Sequence, residues 1–244
     1  MSKGLKIERV GLAGLNLIIP VSILGGALCV DFRTSLRLMV SQPVCGGLLT
    51  GLILGEPFNG LLAGTLIQIM FLGNFFVRGS KALDLPVAGV VSAALYVLVD
   101  IKLAGDVSVA AMTMIWALFF GLSAGWLGHF VYRMIYLRLS EVAEEVSKKA
   151  MEGKLYYLSF INIFMFLFHF VYGFVVLIVI LPVGYEIILY FVLSSWKLTG
   201  SLDILYIILP FIGVGSLLKT QIIKSQGFWF VFGFLISTVV LIFT

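Results

Sequence analysis

The chain has 244 residues, of which 61% are hydrophobic and only 11% charged, with a mean hydropathy of +1.15. An average soluble domain carries about 25% charge, so this composition excludes a soluble enzyme and points to an integral membrane protein. The net charge of +4 does not suggest nucleic acid, because the bases lie at the edges of apolar runs, where they act as topology signals. Long apolar stretches recur from end to end, and the sequence predicts a single all-α, polytopic membrane domain over residues 1–244 with no appended catalytic module.

The N-terminal MSKGLKIERV leads into an apolar run, Val10 to Val30, which reads as a first membrane segment kinked at Pro20 rather than a removed signal peptide. Asp31, Arg33 and Arg37 follow as a polar connection, and a short amphipathic piece, Thr34 to Val40, leads to Gln42-Pro43. The cysteines, Cys29 and Cys45, sit in hydrophobic runs with no metal-ligand spacing and read as small packing residues.

The stretch 41–76 is apolar enough for a membrane, yet rich in glycine and interrupted by two prolines. Gly47, Gly51 and Gly55 fall four apart, as do Gly60 and Gly64 after the Glu56-Pro57 break. Four residues advance a helix by about 400°, so each set forms a strip without side chains along which backbones approach closely. The reading is a helical hairpin that reverses at Glu56-Pro57, with short arms that suit a re-entrant or broken helix. Gln68 continues the second strip by one more step of four, so its amide is expected on the glycine face. Gly73 or Asn74 is expected to close the arm in a left-handed cap. Val77 to Leu85, with Arg78, Lys81 and Asp84, reads as a polar connection facing water or a cavity.

Beyond it, Pro86 to Val99 is a further apolar segment, and Val107 to Tyr136 a long one carrying Gly121, Gly125 and Gly128. Residues 133–154 form a dense run of charge, with Glu144 and Glu145 each four residues before a lysine. They read as a surface helix on the cytoplasmic side that divides a first half, 1–132, from a second, 155–244. Leu155 to Leu181 is an aromatic span expected to end at Pro182-Val183-Gly184. Glu186 to Trp196 is a separate short piece, and an interrupted segment with Pro210, Gly213 and Gly215 precedes a last one, Gly227 to Thr244. Interrupted helices in both halves are the pattern of transporters built from inverted repeats.

The stretch SQPVCGGLLTGLILGEPFNGLLAGTLIQIMFLGNFFV carries a Pro-led glycine helix, an L-G-[DE]-P turn, a G-x-x-x-G-x-x-x-[EQ] helix and an L-G close. These are supplied by Pro43, Leu54-Gly55-Glu56-Pro57, Gly60, Gly64, Gln68 and Leu72-Gly73. In this the chain resembles membrane component IIC of the mannose/fructose/sorbose family of phosphoenolpyruvate-dependent sugar phosphotransferase systems. The later ILPFIGVGSLLK and GFWFVFGFLISTVV resemble the family's C-terminal half. The resemblance implies a sugar permease subunit in a bacterial cytoplasmic (inner) membrane, working with membrane component IID and soluble components IIA and IIB. It implies no cofactor and no phosphorylation site in this chain. His129 and His169 accordingly read as ordinary helix histidines.

Two positions depart from the pattern. Family members often carry Glu where Gln68 stands, and the run NFFVRGSKALD keeps Asp84 but has Leu83 where the family tends to have proline. An amide both donates to and accepts from a hydroxyl. Gln68, Asn74 and Asp84 are therefore expected at sugar hydroxyls, with Gln42 and Pro43 shaping the opposite arm. The competing reading of Gln42, Gln68 and Asn74 is that they satisfy helix ends and broken-helix backbone. The altered run motivates a second reading of the whole chain, a non-transporting membrane sensor or scaffold derived from the same fold. An intramembrane enzyme is disfavoured, because the sequence offers no Ser/His or paired-carboxylate set at a shared depth and no HExxH.

Overall fold

The computed structural model describes residues 3–33, 38–75, 83–103, 107–152 and 156–194. Within them are six α-helices and no strand: α1 (Lys3–Arg33), α2 (Pro43–Leu54), α3 (Pro57–Phe75), α4 (Leu85–Leu103), α5 (Val107–Met151) and α6 (Tyr156–Ser194). Four of them contain stretches long and apolar enough to cross a membrane: 16–33, 85–103, 109–137 and 159–194. The interrupted segment expected at 202–218 and the last membrane segment at 227–244, and with them the inverted repeat, lie outside the described residues.

Helix α4 is the centre of the bundle. Every residue from Leu85 to Val99 is buried, because its small residues let neighbours close in from all sides. Pro43 at the start of α2 lies against Gly89, and a Cβ there would come 2.8 Å from the Pro43 Cα. Gly121 of α5 sits over Ala88, where a Cβ would come 2.7 Å from the Ala88 carbonyl oxygen. Gly184 of α6 meets Leu95 at 2.8 Å by the same measure. Helix α1 runs against α6, with Gly26 at Phe170 and Gly173 at Cys29, which is buried as expected.

The glycine hairpin forms as the spacing predicts. Both arms begin with a proline at the first helical position, where the missing N–H costs nothing. A Cβ on Gly47 would fall 2.5 Å from the Gly60 carbonyl oxygen and 2.8 Å from the Gly64 Cα, so the arms touch backbone to backbone. Gly55 leaves the strip and closes α2 in the left-handed conformation at φ 86°. The Glu56 N–H then donates to the Gly51 carbonyl at 2.8 Å, satisfying one of the helix's free acceptors.

Before α2, residues 38–40 form a turn in which the Asp31 carboxylate accepts from the Leu38 and Ser41 N–H groups at 2.7 and 3.0 Å. Three expectations are corrected. Helix α3 passes through Gly73 and Asn74 to Phe75 without a left-handed cap there. The charged stretch is no separate connection but the continuation of α5, 45 residues and about 68 Å long at 1.5 Å per residue. Its Glu144–Lys148 and Glu145–Lys149 pairs form at 3.0 Å, and the hydrogen bond that Lys149 donates to Glu145 raises the ammonium pKa above its ordinary value. Finally, α6 continues through Pro182 to Ser194. A proline removes one ladder bond, which a membrane helix tolerates where neighbouring helices pack around it, as Leu95 does at Gly184.

Candidate functional site

Helix α2 has only 12 residues, about 18 Å, well short of a hydrocarbon core of about 30 Å. Its tip lies near the far end of α4, where the Asn59 amide donates to the Asp100 carboxylate at 3.3 Å. Its first residue lies beside Gly89, more than a turn in from the start of α4. The N-terminus of α2 thus begins below the end of its neighbour, and its free N–H groups need acceptors that lipid does not provide. Gln68 supplies one. Its Oε1 accepts from the Val44 N–H at 3.1 Å, while its Nε2 donates to Gln42 Oε1 at 2.6 Å. The two amides form a polar floor at the positive end of a half-helix dipole. Among the described residues, no hydrogen bond takes up the Gln42 NH₂ group or the second Gln68 N–H, which leaves them as donors for a ligand.

A second polar centre lies where α1, α4, α5 and α6 meet. Asp84 immediately precedes α4, its N–H donating to the Gly125 carbonyl at 3.0 Å and its carbonyl accepting from Ala88 at 2.9 Å. Asp84, expected on a connection facing water or a cavity, is 1% exposed. The reason is its partner: Arg33, from the last turn of α1, forms an ion pair with Asp84 Oδ2. The Tyr172 hydroxyl lies 2.9 Å from the same oxygen and 2.5 Å from the Gly128 carbonyl, so its single proton faces two acceptors. The Arg33 guanidinium in turn lies over the Tyr132 ring, with Cζ 3.4 Å from the centroid, a cation–π contact. The Tyr132 hydroxyl meets His169 Nε2 at 3.1 Å, and His169 is 4% exposed.

Of the residues expected at the site, the structure joins Gln42 to Gln68 and places Pro43, Gly47, Gly51, Gly60 and Gly64 along one close-packed seam. Gly55, Glu56 and Pro57 form its turn. Asp84 belongs to the second centre, and no hydrogen bond joins the two centres among the described residues. Asn74 falls in the last turn of α3, with its side chain outside the described residues, as are Arg78 and Lys81. Sequence reasoning missed Arg33, Tyr132 and Tyr172. The signal was present as an unpaired Arg and Asp at the ends of apolar runs, since buried charges seek each other. The glycines of α5 mark where a bulky partner enters: a Cβ on Gly128 would lie 2.8 Å from the Tyr172 hydroxyl oxygen.

Fold and site together define a polytopic helical membrane protein built around a glycine-seamed hairpin whose first arm is a half-helix with an amide-lined start. The family model described as the PTS system sorbose-specific IIC component matches residues 15–243, nearly the whole chain, and the chain belongs to that family. It is therefore a sugar-specific IIC component of a phosphotransferase system, a transport protein of the membrane. A comparison with curated proteins returns no significant match.

Proposed function

We propose that the chain is the permease subunit that carries a sugar across a bacterial cytoplasmic membrane for phosphorylation by partner components, with IID beside it in the bilayer and IIA and IIB in the cytoplasm. The reading rests on the Gln42–Gln68 pair: two uncharged amides at the start of a half-helix inside the bundle, with N–H donors left over among the described residues. Sugars offer hydroxyls, which both donate and accept, and an amide floor complements them without burying a net charge. Gln68, Asn74, Asp84 and Gln42 are the residues we assign to the sugar, with the hairpin glycines holding the arms close enough for one ligand to meet both. Phosphoryl transfer belongs to the assembled complex, and this subunit acts as a permease without chemistry of its own.

The test is uptake of radiolabelled mannose, fructose and sorbose by cells carrying the chain together with its IID and soluble partners. Gln68→Leu removes both the Val44 acceptor and the Gln42 donor and is expected to lower uptake at least roughly tenfold. Gln68→Glu keeps the acceptor and separates the capping role from sugar contact. Uptake unchanged by Gln68→Leu would count against Gln68 as a ligand. Sugar uptake that does not depend on the chain would count against the permease reading altogether.

A further inference from the structure

We infer that the charged end of α5 and the aromatic start of α6 form an amphipathic helix pair that lies on the bilayer surface, with α6 against lipid and α5 toward water. The inference stands independently of the sugar site proposed above. It begins from a length. The apolar stretch of α6 runs over 36 residues, 159–194, or about 54 Å at 1.5 Å per residue. A hydrocarbon core of about 30 Å, crossed at a steep tilt of about 40°, takes up about 39 Å, so roughly ten residues are left over. Contacts along the helix show at which end they lie. Toward the end of α6, Phe191 stacks on Trp116, inside the 109–137 apolar stretch of α5. Further back, Tyr172 meets Gly128 and His169 meets Tyr132, at the level where α1 ends with Arg33 and α4 begins after Asp84. Lys149 then lies over the Tyr157 ring, 5.5 Å from its centroid, so the first turns of α6 run on beside the charged part of α5.

The two helices divide the polarity between them. Leu139, Ala143 and Val146 of α5 and Tyr157, Ile161 and Met165 of α6 are half-buried and recur at helical spacing, which marks the faces that meet. On the outer side of α5, Glu141, Glu144, Glu145 and Lys148 are exposed. On the outer side of α6 stand Tyr156, Phe160, Ile163, Phe164 and Leu167, with Phe160 65% and Ile163 70% exposed. An upright pair would hold this second face in water. Leaning onto the bilayer buries it at the boundary between headgroups and acyl chains and leaves the charges solvated. Two observations favour lipid over protein as the occupant. The face continues without a break into Val171, Val175, Val179 and Val183, which are exposed along the membrane-crossing part of the same helix, so one medium covers both. It is also aromatic at the level where the other helices end, as membrane–water interfaces favour. The attachment is apolar rather than electrostatic, because the four bases of residues 133–152 are offset by four acids.

The experiment places a spin label on single cysteines, Ile163→Cys, Val179→Cys and Glu144→Cys, in the full chain with Cys29 and Cys45 replaced by alanine. The protein is reconstituted in phosphatidylcholine vesicles, alone and with component IID, and each label's collisions with oxygen, which enters lipid, and with a water-soluble nickel chelate are measured. The oxygen-to-nickel ratio at Ile163→Cys is expected to lie within about twofold of that at Val179→Cys and at least roughly fivefold above that at Glu144→Cys. Adding phosphatidylglycerol is expected to leave it unchanged. Phe160→Glu, which sets a charge on the aromatic face, is expected to lower the ratio at Ile163→Cys severalfold. Should that variant fail to insert, the single-cysteine comparison still decides. A nickel chelate that reaches Ile163→Cys as freely as Glu144→Cys would show a pair standing in water and overturn the inference. A label at Ile163→Cys shielded from both reagents, or broadened by a neighbouring label, would make a second copy of the chain the occupant. Shielding that appears only with component IID would assign the face to that partner, and either result overturns lipid contact. A high ratio that requires phosphatidylglycerol would overturn the apolar basis of the attachment.

Discussion

Gly47 and Gly55 are both glycine, for different physical reasons, and the difference is measurable. Gly55 sits at φ 86° with open space for 4 Å around the point where a Cβ would stand, so Gly55→Ala meets only the left-handed backbone penalty, about 1 kcal/mol. Gly47 is helical, but a Cβ there runs into the backbone of the opposite arm, and backbone cannot swing aside as a side chain does. Gly47→Ala must push the arms apart and is expected to cost about 1–3 kcal/mol, as overpacking does. Thermal unfolding of the purified protein in detergent compares them directly: the midpoint should fall further for Gly47→Ala than for Gly55→Ala, and the reverse order would refute the seam. The spacing of four made this seam legible in the sequence, since helical geometry alone aligns Gly47 with Gly51 and Gly60 with Gly64. It also misassigned Gly55, which continues the count but not the face. The helix stops there because Glu56 precedes proline and is biased away from helical backbone.

At the scale of an element, α2 is a half-helix whose stability depends on what closes its two ends. The Gly55 turn satisfies its last carbonyls locally, whereas its first N–H groups rely on a residue from the other arm. Leaving the Val44 N–H without its Gln68 acceptor should destabilise the protein by about 1–3 kcal/mol. Gln68→Leu is therefore expected to lower the unfolding midpoint. Gln68→Glu, whose carboxylate still accepts at the positive helix end, should lower it less. Equal losses would mean that the bond contributes nothing. This hairpin could be read from the sequence because its contacts are local, set by periodicity and by two prolines. The Arg33–Asp84 centre could not, because its partners are 51 residues apart and each reads, by itself, as the polar end of an apolar run. Pro182 misled for a related reason: as a local breaker it predicts an end, and only the packing of α6 against α4 shows why the helix continues.

For the whole molecule, the antiparallel course of the helices sorts the polar features onto two sides. Arg33 ends α1, Asp84 precedes α4, and the Gln42–Gln68 floor lies beside the start of α4. The charged continuation of α5 leaves the bundle beyond Gly125 and Gly128, which flank Asp84, and so belongs to the same side. Glu56 at the hairpin turn, with Asn59 beside Asp100 near the end of α4, belongs to the other. Basic residues favour the cytoplasmic side, and the α5 continuation carries Arg133, Arg138, Lys148 and Lys149. On this reading the amide floor and the Asp84 centre are expected to lie toward the cytoplasmic side, and the hairpin turn outward. Single cysteines at Glu56 and Glu144, both exposed, test it in a background where Cys29 and Cys45 are replaced by alanine. A membrane-impermeant maleimide added to intact cells should label Glu56→Cys, and should label Glu144→Cys only after the cells are opened. Labelling of both from one side would contradict the antiparallel arrangement. A clean reversal would keep the fold but turn the site to the outer face, and a cytoplasmic partner would then meet the hairpin turn first.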